Sequence, residues 1–252
     1  MKSSTTRPKA FSLAVVFWLL LWQGVAMLVG EKILLASPLE TLQALFSLSL
    51  TGTFWTSAFF SLGRILSGFL GAVCLACLLA GLSARLHSVS LLLVPLFSAL
   101  RSIPVASFVI VALIWVPSQQ LSVLISFLIA MPILYAGILC GIESTDSQLL
   151  EMAQVFGMGN KRRLFYLYIP AVFPFFQNAA VVAIGLAWKS GIAAEVIGIP
   201  GGSIGEKLYR AKVYLNTPDL FAWTIVIVLL SLLCEKMFKL LLAGVRKRIE
   251  GL

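Results

Sequence analysis

Long apolar runs alternate with short polar breaks along this chain. Four runs contain no Asp, Glu, Lys or Arg: residues 10–30, 65–84, 102–142 and 164–188. A helix needs roughly 20 apolar residues to cross a bilayer, and a helix satisfies its own backbone polar groups in lipid. The pattern therefore predicts an all-α, polytopic membrane protein.

The polar breaks divide the chain into six predicted transmembrane helices. They cover residues 11–30, 62–82, 90–116, 121–141, 169–188 and 220–242. We expect residues 31–61 to be external, with a short amphipathic helix over 38–50 at the interface. Residues 11–242 then form a single transmembrane domain, between an N-terminal segment (1–10) and a C-terminal tail (243–252).

The distribution of charge supports this topology. The chain is 60 % apolar and has a net charge of +9. Four of its nineteen basic residues (Lys32, Lys207, Arg210, Lys212) fall on one side of the six-helix topology, and three lie in or near spans (Arg64, Arg101, Lys189). The other twelve fall on the opposite side: Lys2, Arg7, Lys9, Arg85, Lys161, Arg162, Arg163, Lys236, Lys239, Arg246, Lys247 and Arg248. The positive-inside rule places both termini in the cytoplasm, so the charge indicates membrane topology and not nucleic-acid binding.

The third predicted span contains Arg101, Ser102 and Pro104 near its middle. Proline removes a backbone donor, so we expect a kink or a break here. An arginine at that depth is costly unless it faces water or a partner. The segment either lines a pathway, or its arginine pairs inside the bundle or reaches the interface.

Lys189 and Glu195 follow the fifth predicted span. They could form an ion pair if the helix unwinds near Gly191, or contact a passing solute. The glycine-rich segment 198–205 is interpreted as a flexible external turn. A phosphate-binding loop is excluded because no GxxxxGK[ST] occurs in the chain.

No metal, cofactor or catalytic site is expected. Cys74 and Cys77 lie mid-span among apolar residues, away from His87, and are interpreted as packing residues. The acidic residues are expected in loops, without the nucleophile and base that an intramembrane enzyme needs. Gly137 and Gly141 form a GxxxG pair, which favours close helix contact within the chain or between chains.

The one long polar interruption in the second half of the chain, residues 145–170, predicts a short cytoplasmic helix. Asp146 or Ser147 can cap it, and Gly157 can end it in a left-handed conformation. Its apolar positions follow helical spacing: Leu149, Met152, Ala153 and Phe156. Lipid headgroups, the chain's own helix ends or another protein could cover this side.

The spacing of Glu151, Ala153, Gly157, Leu167, Ile169 and Pro170 resembles the EAA signature of ABC importer permeases, with Met152 where alanine is usual. Flanking segments resemble the nitrate, sulfonate and taurine branch of that family: Ser37-Pro38, 61–64, 100–104, 187–189, 194–195, Thr217-Pro218 and Phe221-Ala222.

The resemblance implies a type I importer fold in which the EAA loop, residues 143–168, carries a coupling helix. Glu151 would be the polar anchor for a separate ATPase subunit, Ala153 a close-packing site and Gly157 the turn, with Leu149, Phe156 and Pro170 completing the coupling set. Arg101, Ser102, Pro104, Lys189 and Glu195 are the candidate pathway residues.

The resemblance further implies a non-catalytic subunit in the inner or plasma membrane of a prokaryote. Its partners would be a second permease copy, the ATPase and an external binding protein that delivers a small anionic, organosulfur or nitrogen-containing solute. The alternative is a stand-alone secondary carrier or channel. Carriers usually hold ionisable groups at the midplane, where the sequence places Arg101 but no buried acid.

Overall fold

The computed structural model describes residues 8–31 and 33–250, and the side chains of 13–31 and 33–248. Lys2 and Arg7 of the predicted N-terminal segment, Lys32 and the last two residues of the predicted tail lie outside the described residues, as does the side chain of Lys9. The described residues form α-helices and one π-helical turn. The α-helices are α1 (Pro8–Val29), α2 (Pro38–Ser49), α3 (Gly52–Arg85), α4 (His87–Ser102), α5 (Val105–Ala112), α6 (Ser118–Glu143), α7 (Ser147–Val155), α8 (Asn160–Arg163), α9 (Ile169–Gly198), α10 (Ile204–Val213) and α11 (Thr217–Glu250).

Helix α6 lies at the centre of the fold, where it packs against α3 and α9. On α3 the side facing α6 is a row of small residues at four-residue spacing, Gly68, Ala72, Ala76 and Ala80, and the three alanines are fully buried. A Cβ on Gly68 would overlap the Val123 carbonyl of α6. Small residues at this spacing bring two helix backbones close together, which is how helices associate where lipid gives no hydrophobic drive.

The GxxxG pair joins α6 to α9 within this chain. A Cβ on Gly137 would overlap the Ala179 Cβ, and one on Gly141 would lie 2.9 Å from the Val172 Cα. Both glycines are therefore in close contact with α9 of the same chain. Nearby, the Ser126 hydroxyl donates to the Ala187 carbonyl at 3.1 Å and so satisfies a buried polar group between the same helices.

Among the described residues, three helical segments are long and apolar enough to cross a membrane: α3, α6 and the run from Asn160 to Gly198. The pair α4 and α5 would make a fourth span if it crosses as one broken element. Helices α1 and α11 cover the first and last predicted spans. The predicted membrane class is confirmed, and the count of six spans stays a prediction.

Helix α3 extends beyond both ends of the second predicted span. Helix α3 starts at Gly52, ten residues before the predicted start at Leu62. Ser57 and Ser61 lie in the segment predicted to be external, and both are buried on the same side of α3 as Phe54 and Ala58. Small hydroxyl residues can face the inside of a helix bundle when they find a hydrogen-bond partner, so polarity at these positions does not mark an external segment.

The predicted break at Pro104 is confirmed, and it is sharp. Helices α4 and α5 meet at an angle of 103°. Ile103 is extended, with φ of −75° and ψ of 127°, as expected for a residue whose helical conformation would clash with the following proline ring. Pro104 also has no N–H with which to continue α4.

We predict that Gly137→Ala destabilises the protein, because the added Cβ overlaps Ala179 and must push α6 away from α9. Overpacking of this kind costs about 1–3 kcal/mol and should lower the melting temperature in detergent by several degrees. Gly81→Ala is the matched control, since a Cβ there would meet no atom within 4 Å. Equal melting temperatures for the two variants would contradict the α6–α9 contact.

Candidate functional site

Helix α7 begins at a side-chain cap. Asp146 is extended, and its Oδ1 accepts a hydrogen bond from the Gln148 N–H at 2.8 Å. This bond satisfies one of the N–H groups that every helix start leaves unpaired. Of the two residues predicted as a cap, Asp146 is the one that forms it.

Gly157 ends α7 in the predicted left-handed conformation, with φ of +64°. The Met158 N–H donates to the Ala153 carbonyl at 2.8 Å, and the Gly157 N–H donates to the Gln154 carbonyl at 3.0 Å. These two bonds form a Schellman motif. A Cβ on Gly157 would meet no atom within 4 Å, so the backbone conformation, and not lack of space, favours glycine here.

The apolar side of α7 is largely open. Ala153 is 3 % exposed, but Leu149 is 43 %, Met152 50 % and Phe156 79 % exposed. Glu151 is exposed beside them. The described part of the chain therefore covers Ala153 and leaves the three larger apolar side chains available to a partner.

Pro170 lies within a continuous helical run that leads from α8 through a π-helical turn (Leu164–Tyr168) into α9. The Ile169 N–H donates to the Leu164 carbonyl, five residues back. Because proline has no N–H, the carbonyl four residues before it loses its usual donor. The wider π-helical turn changes the bonding just ahead of this position.

The Arg101 side chain is exposed, but it is also hydrogen-bonded to another helix of the bundle. Its Nη2 donates to the Pro132 carbonyl of α6 at 2.6 Å, so the alternative of an internal pairing is observed. Ser102 and Pro104 are also exposed, and the Ser102 hydroxyl donates to the Ala99 carbonyl at 2.9 Å. Their contact with a pathway stays a prediction.

The predicted pairing of Lys189 with Glu195 is wrong. Helix α9 continues through Gly191, and residues six apart on a continuous helix point to different sides. Lys189 is exposed, whereas Glu195 is fully buried. Glu195 therefore does not line an open surface in this structure.

Glu195 instead joins three helices. Its Oε2 accepts from the Ser61 hydroxyl of α3 at 2.6 Å and from the Gly205 N–H of α10 at 3.3 Å. The Ser61 Oγ in turn accepts from the Ile204 N–H at 2.9 Å. The carboxylate thus lies at the N-terminus of α10, where unpaired N–H groups favour negative charge.

The segment interpreted as a flexible turn, residues 198–205, leads into helix α10, which begins at Ile204. Ser203 caps it by accepting from the Glu206 N–H at 3.0 Å. Gly205 belongs to its first turn, and a Cβ there would overlap Glu195. This glycine allows close packing of α10 on α9, which the sequence analysis missed because the partner lies on another helix.

A cleft of about 240 Å³ lies beside α10, between it and the starts of α3 and α11. Its lining combines basic, acidic and aromatic groups: Thr53, Lys207, Arg210, Tyr214, Asp219 and Trp223 among others. Burial raises the pKa of the Asp219 carboxyl. The cleft is at the opposite end of α9 from α7.

Comparisons with known proteins agree on one family. A family model described as "Binding-protein-dependent transport system inner membrane component" matches residues 72–251. A probable ABC transporter permease of Brucella melitensis is 27 % identical, covering 82 % of this chain and 84 % of the relative. A formylaminopyrimidine transport permease of Halalkalibacterium halodurans is 27 % identical, covering 85 % and 86 %. The Escherichia coli taurine transport system permease is 24 % identical, covering 86 % and 81 %.

The fold agrees as well. A crystal structure of an amino acid ABC transporter with histidines matches with a TM-score of 0.62, covering 81 % of this chain and 97 % of that chain, at 17 % identity. The family match takes in α7 and the whole EAA spacing. The chain therefore belongs to the inner-membrane permease components of binding-protein-dependent ABC transporters, and it fits their nitrate, sulfonate and taurine branch.

Proposed function

We propose that this chain is the transmembrane subunit of an ATP-driven importer for a small organic or inorganic anion. Two copies would form a pathway along their interface. An external binding protein would deliver the solute, and a separate ATPase subunit would bind α7 from the cytoplasm. Both termini and α7 would lie on the cytoplasmic side, as the basic residues indicate.

The open apolar side of α7 is the observation that carries this proposal. Leu149, Met152 and Phe156 sit on a short, capped helix that projects from the bundle between α6 and α8. Burying a large apolar side chain contributes roughly 1.5–3 kcal/mol, so a groove that takes Phe156 gains a substantial part of its affinity there. Glu151 beside it can add a directional polar contact.

We expect ATP to bind to a separate subunit. The sequence has no GxxxxGK[ST] motif, which is the loop that cradles nucleotide phosphates in P-loop ATPases. A separate ATPase would change the transporter by favouring one state of the pore over another. A ligand shifts such an equilibrium only by its differential affinity, so ATP and the loaded binding protein would have to favour the same state.

The link from α7 to α9 suits the transmission of movement from the ATPase to the pore. Only residues 156–159 separate α7 from the helical run that starts at Asn160. That run contains 39 residues, which corresponds to about 58 Å at 1.5 Å per residue. A displacement of α7 can therefore move a helix long enough to reach the opposite side of the membrane.

The solute is proposed from the relatives and from Arg101. Relatives named for taurine and formylaminopyrimidine transport favour a small polar molecule. Arg101 lies at the break between α4 and α5 beside the exposed Ser102. An exposed cation at a broken helix favours an anion over a cation.

We predict that Phe156→Asp abolishes copurification of the ATPase, because it places a charge where the partner groove requires an apolar group. Phe156→Leu is the control, since it keeps an apolar side chain and should keep the ATPase. The measurement is affinity purification from the native membrane in mild detergent, followed by mass spectrometry. Equal ATPase recovery from both variants would overturn the assignment of α7.

We expect Glu151→Lys to uncouple transport from ATP hydrolysis while membrane insertion stays normal, since the reversed charge removes the polar anchor. Glu143→Lys is the control, because Glu143 is also exposed but ends α6 outside α7. Solute-stimulated ATPase activity in reconstituted vesicles is the measurement. Full stimulation of the Glu151 variant would rule out the anchor role.

A third prediction concerns the broken helix. With the four native cysteines replaced, a cysteine at Ser102 should react with a water-soluble thiol reagent at a rate that changes when ATP is added, because the pathway opens and closes around it. A cysteine at Leu78, an exposed apolar position on α3, should stay unreactive in lipid. If the labelling rate at position 102 is the same with and without ATP, the break between α4 and α5 has only a structural role.

A further inference from the structure

The cleft beside α10 lies at the level expected for the membrane surface. Its lining includes Thr53 from the first turn of α3 and Asp219 from the first turn of α11. Both helices are apolar along most of their length, so their first turns mark one edge of the hydrocarbon region. The cleft volume of about 240 Å³ is just below the roughly 300–1,000 Å³ typical of pockets for whole ligands. The cleft therefore suits one part of a larger molecule.

Charges of both signs line the cleft on different helices. Lys207 and Arg210 lie one turn apart on α10, and Asp219 lies on α11. Arg210 is held by an ion pair with Glu206 at 2.7 Å, and Glu206 in turn accepts from the Gly202 N–H at 2.6 Å. Among the described residues, neither Lys207 nor Arg210 forms an ion pair with Asp219. The cations and the carboxylate therefore line one cleft without neutralising each other.

The Asp219 carboxylate is oriented and partly removed from water. Its Oδ2 accepts from the Asn216 side-chain amide at 2.8 Å, and the Asp219 N–H donates to the Asn216 Oδ1 at 3.3 Å. Burial raises the pKa of this carboxyl, because the charged form loses part of its hydration. A cation placed beside the carboxylate opposes that effect. The α11 side of the cleft therefore favours a positively charged group.

Exposed apolar residues stand next to the lining residues in the chain. They form the rim of the cleft, and each is more than half exposed: Leu50, Trp55, Tyr214 and Leu215. The Trp55 Nε1 donates to the Ser49 carbonyl at 3.0 Å, which holds the indole beside the connection from α2 to α3. Leu215 has φ of +54°, a conformation that favours glycine. Exposed aromatic and apolar groups at this level are typical of a surface covered by lipid.

These features together select one kind of occupant. Asp219 repels a simple anion, and Lys207 and Arg210 repel a simple cation, so a zwitterion fits better than either. The apolar rim favours a zwitterion that is attached to acyl chains. Ethanolamine phosphate, the headgroup of a phospholipid, has both properties. Its phosphate oxygens accept charge-assisted hydrogen bonds from basic side chains, and its ammonium donates to a carboxylate.

We propose that the cleft binds the ethanolamine phosphate headgroup of a phospholipid, with the phosphate beside Lys207 and Arg210 and the ammonium beside Asp219. The acyl chains lie against the apolar rim. The lipid joins α10 to α11 through its two charged groups, and basic pockets between helices are the usual sites for such headgroups. This site is independent of the solute pathway and of the ATPase contact at α7.

A cysteine reporter at position 53 tests the site in the full transporter. Thr53 lines the cleft and is exposed, so Thr53→Cys without the four native cysteines should react readily with a neutral, water-soluble maleimide in phosphatidylglycerol nanodiscs. Replacing half of that lipid by phosphatidylethanolamine should slow the reaction about tenfold, as expected when the free cleft falls to about a tenth of the population. Lys212→Cys, an exposed position of α10 outside the cleft lining, is the matched reporter and should react equally in both lipids.

Charge variants in the Thr53→Cys background identify the headgroup contacts. Asp219→Asn keeps an acceptor for Asn216 but removes the charge that holds the ammonium, and it should abolish the protection. Lys207→Met keeps the aliphatic stem and should weaken the protection severalfold, since a hydrogen bond to a charged group is lost. Lys212→Met removes a cation outside the cleft lining and should leave the protection unchanged. Full protection in the Asp219 or Lys207 variant, or no protection without these changes, would overturn the proposal.

Free phosphoethanolamine separates a lipid from a soluble zwitterion of the same chemistry. Added to phosphatidylglycerol nanodiscs in the same molar amount as the lipid it replaces, it should give little protection, because it has no acyl chains to lie against the rim. Protection as strong as that given by phosphatidylethanolamine would assign the cleft to a soluble zwitterion and overturn the lipid. Melting temperatures of all variants show whether a lost protection reflects unfolding, and variants that melt like the Thr53→Cys protein carry the test.

Discussion

Close contact between helix backbones is the constraint on which the structure depends. Lipid is as apolar as a leucine side chain, so apolar helices gain little by leaving lipid for each other, and they associate through packing and hydrogen bonds. The row from Gly68 to Ala80 on α3 and the pair Gly137 and Gly141 on α6 remove the side chains that would separate the helices. Large apolar residues then remain on the outside of the bundle, where lipid can solvate them.

The same constraint explains the two polar features of the fold. Where α3, α9 and α10 meet, burial obliges Glu195 to find hydrogen-bond donors, and Ser61 and the N-terminus of α10 supply them. Outside the bundle, α7 has no such obligation, because water satisfies Glu151 and only Ala153 is buried. The Glu195 carboxylate is therefore bonded within the fold, while the Glu151 carboxylate stays available to a partner.

Much of the fold could be predicted, because apolar runs, Pro104, Asp146 and Gly157 act through their immediate neighbours. The EAA spacing likewise identified the family from local sequence. The errors share a physical cause. Ser61 was assigned to the external segment 31–61, and Glu195 to an ion pair with Lys189 or to contact with a solute, yet the two side chains bond to each other across 134 residues. A hydrogen bond between distant segments leaves no trace in local spacing, and the glycine that accommodates it, Gly205, resembled a flexible turn.

The hypothesis of a stand-alone carrier predicts ionisable groups that face a pathway. Glu195 is the residue in this structure with which that prediction can be compared. Glu195 is a buried acid, but it lies near the C-terminal end of α9 and its carboxylate is engaged with Ser61 and α10. Its position also relates the two ends of the molecule. The 39-residue run that carries Glu195 near its C-terminal end is joined to α7 by residues 156–159. A movement of α7 can be absorbed in residues 156–159, in the π-helical turn before Pro170 or at Pro174 inside α9; what those positions do not absorb reaches the contact between α9 and α10.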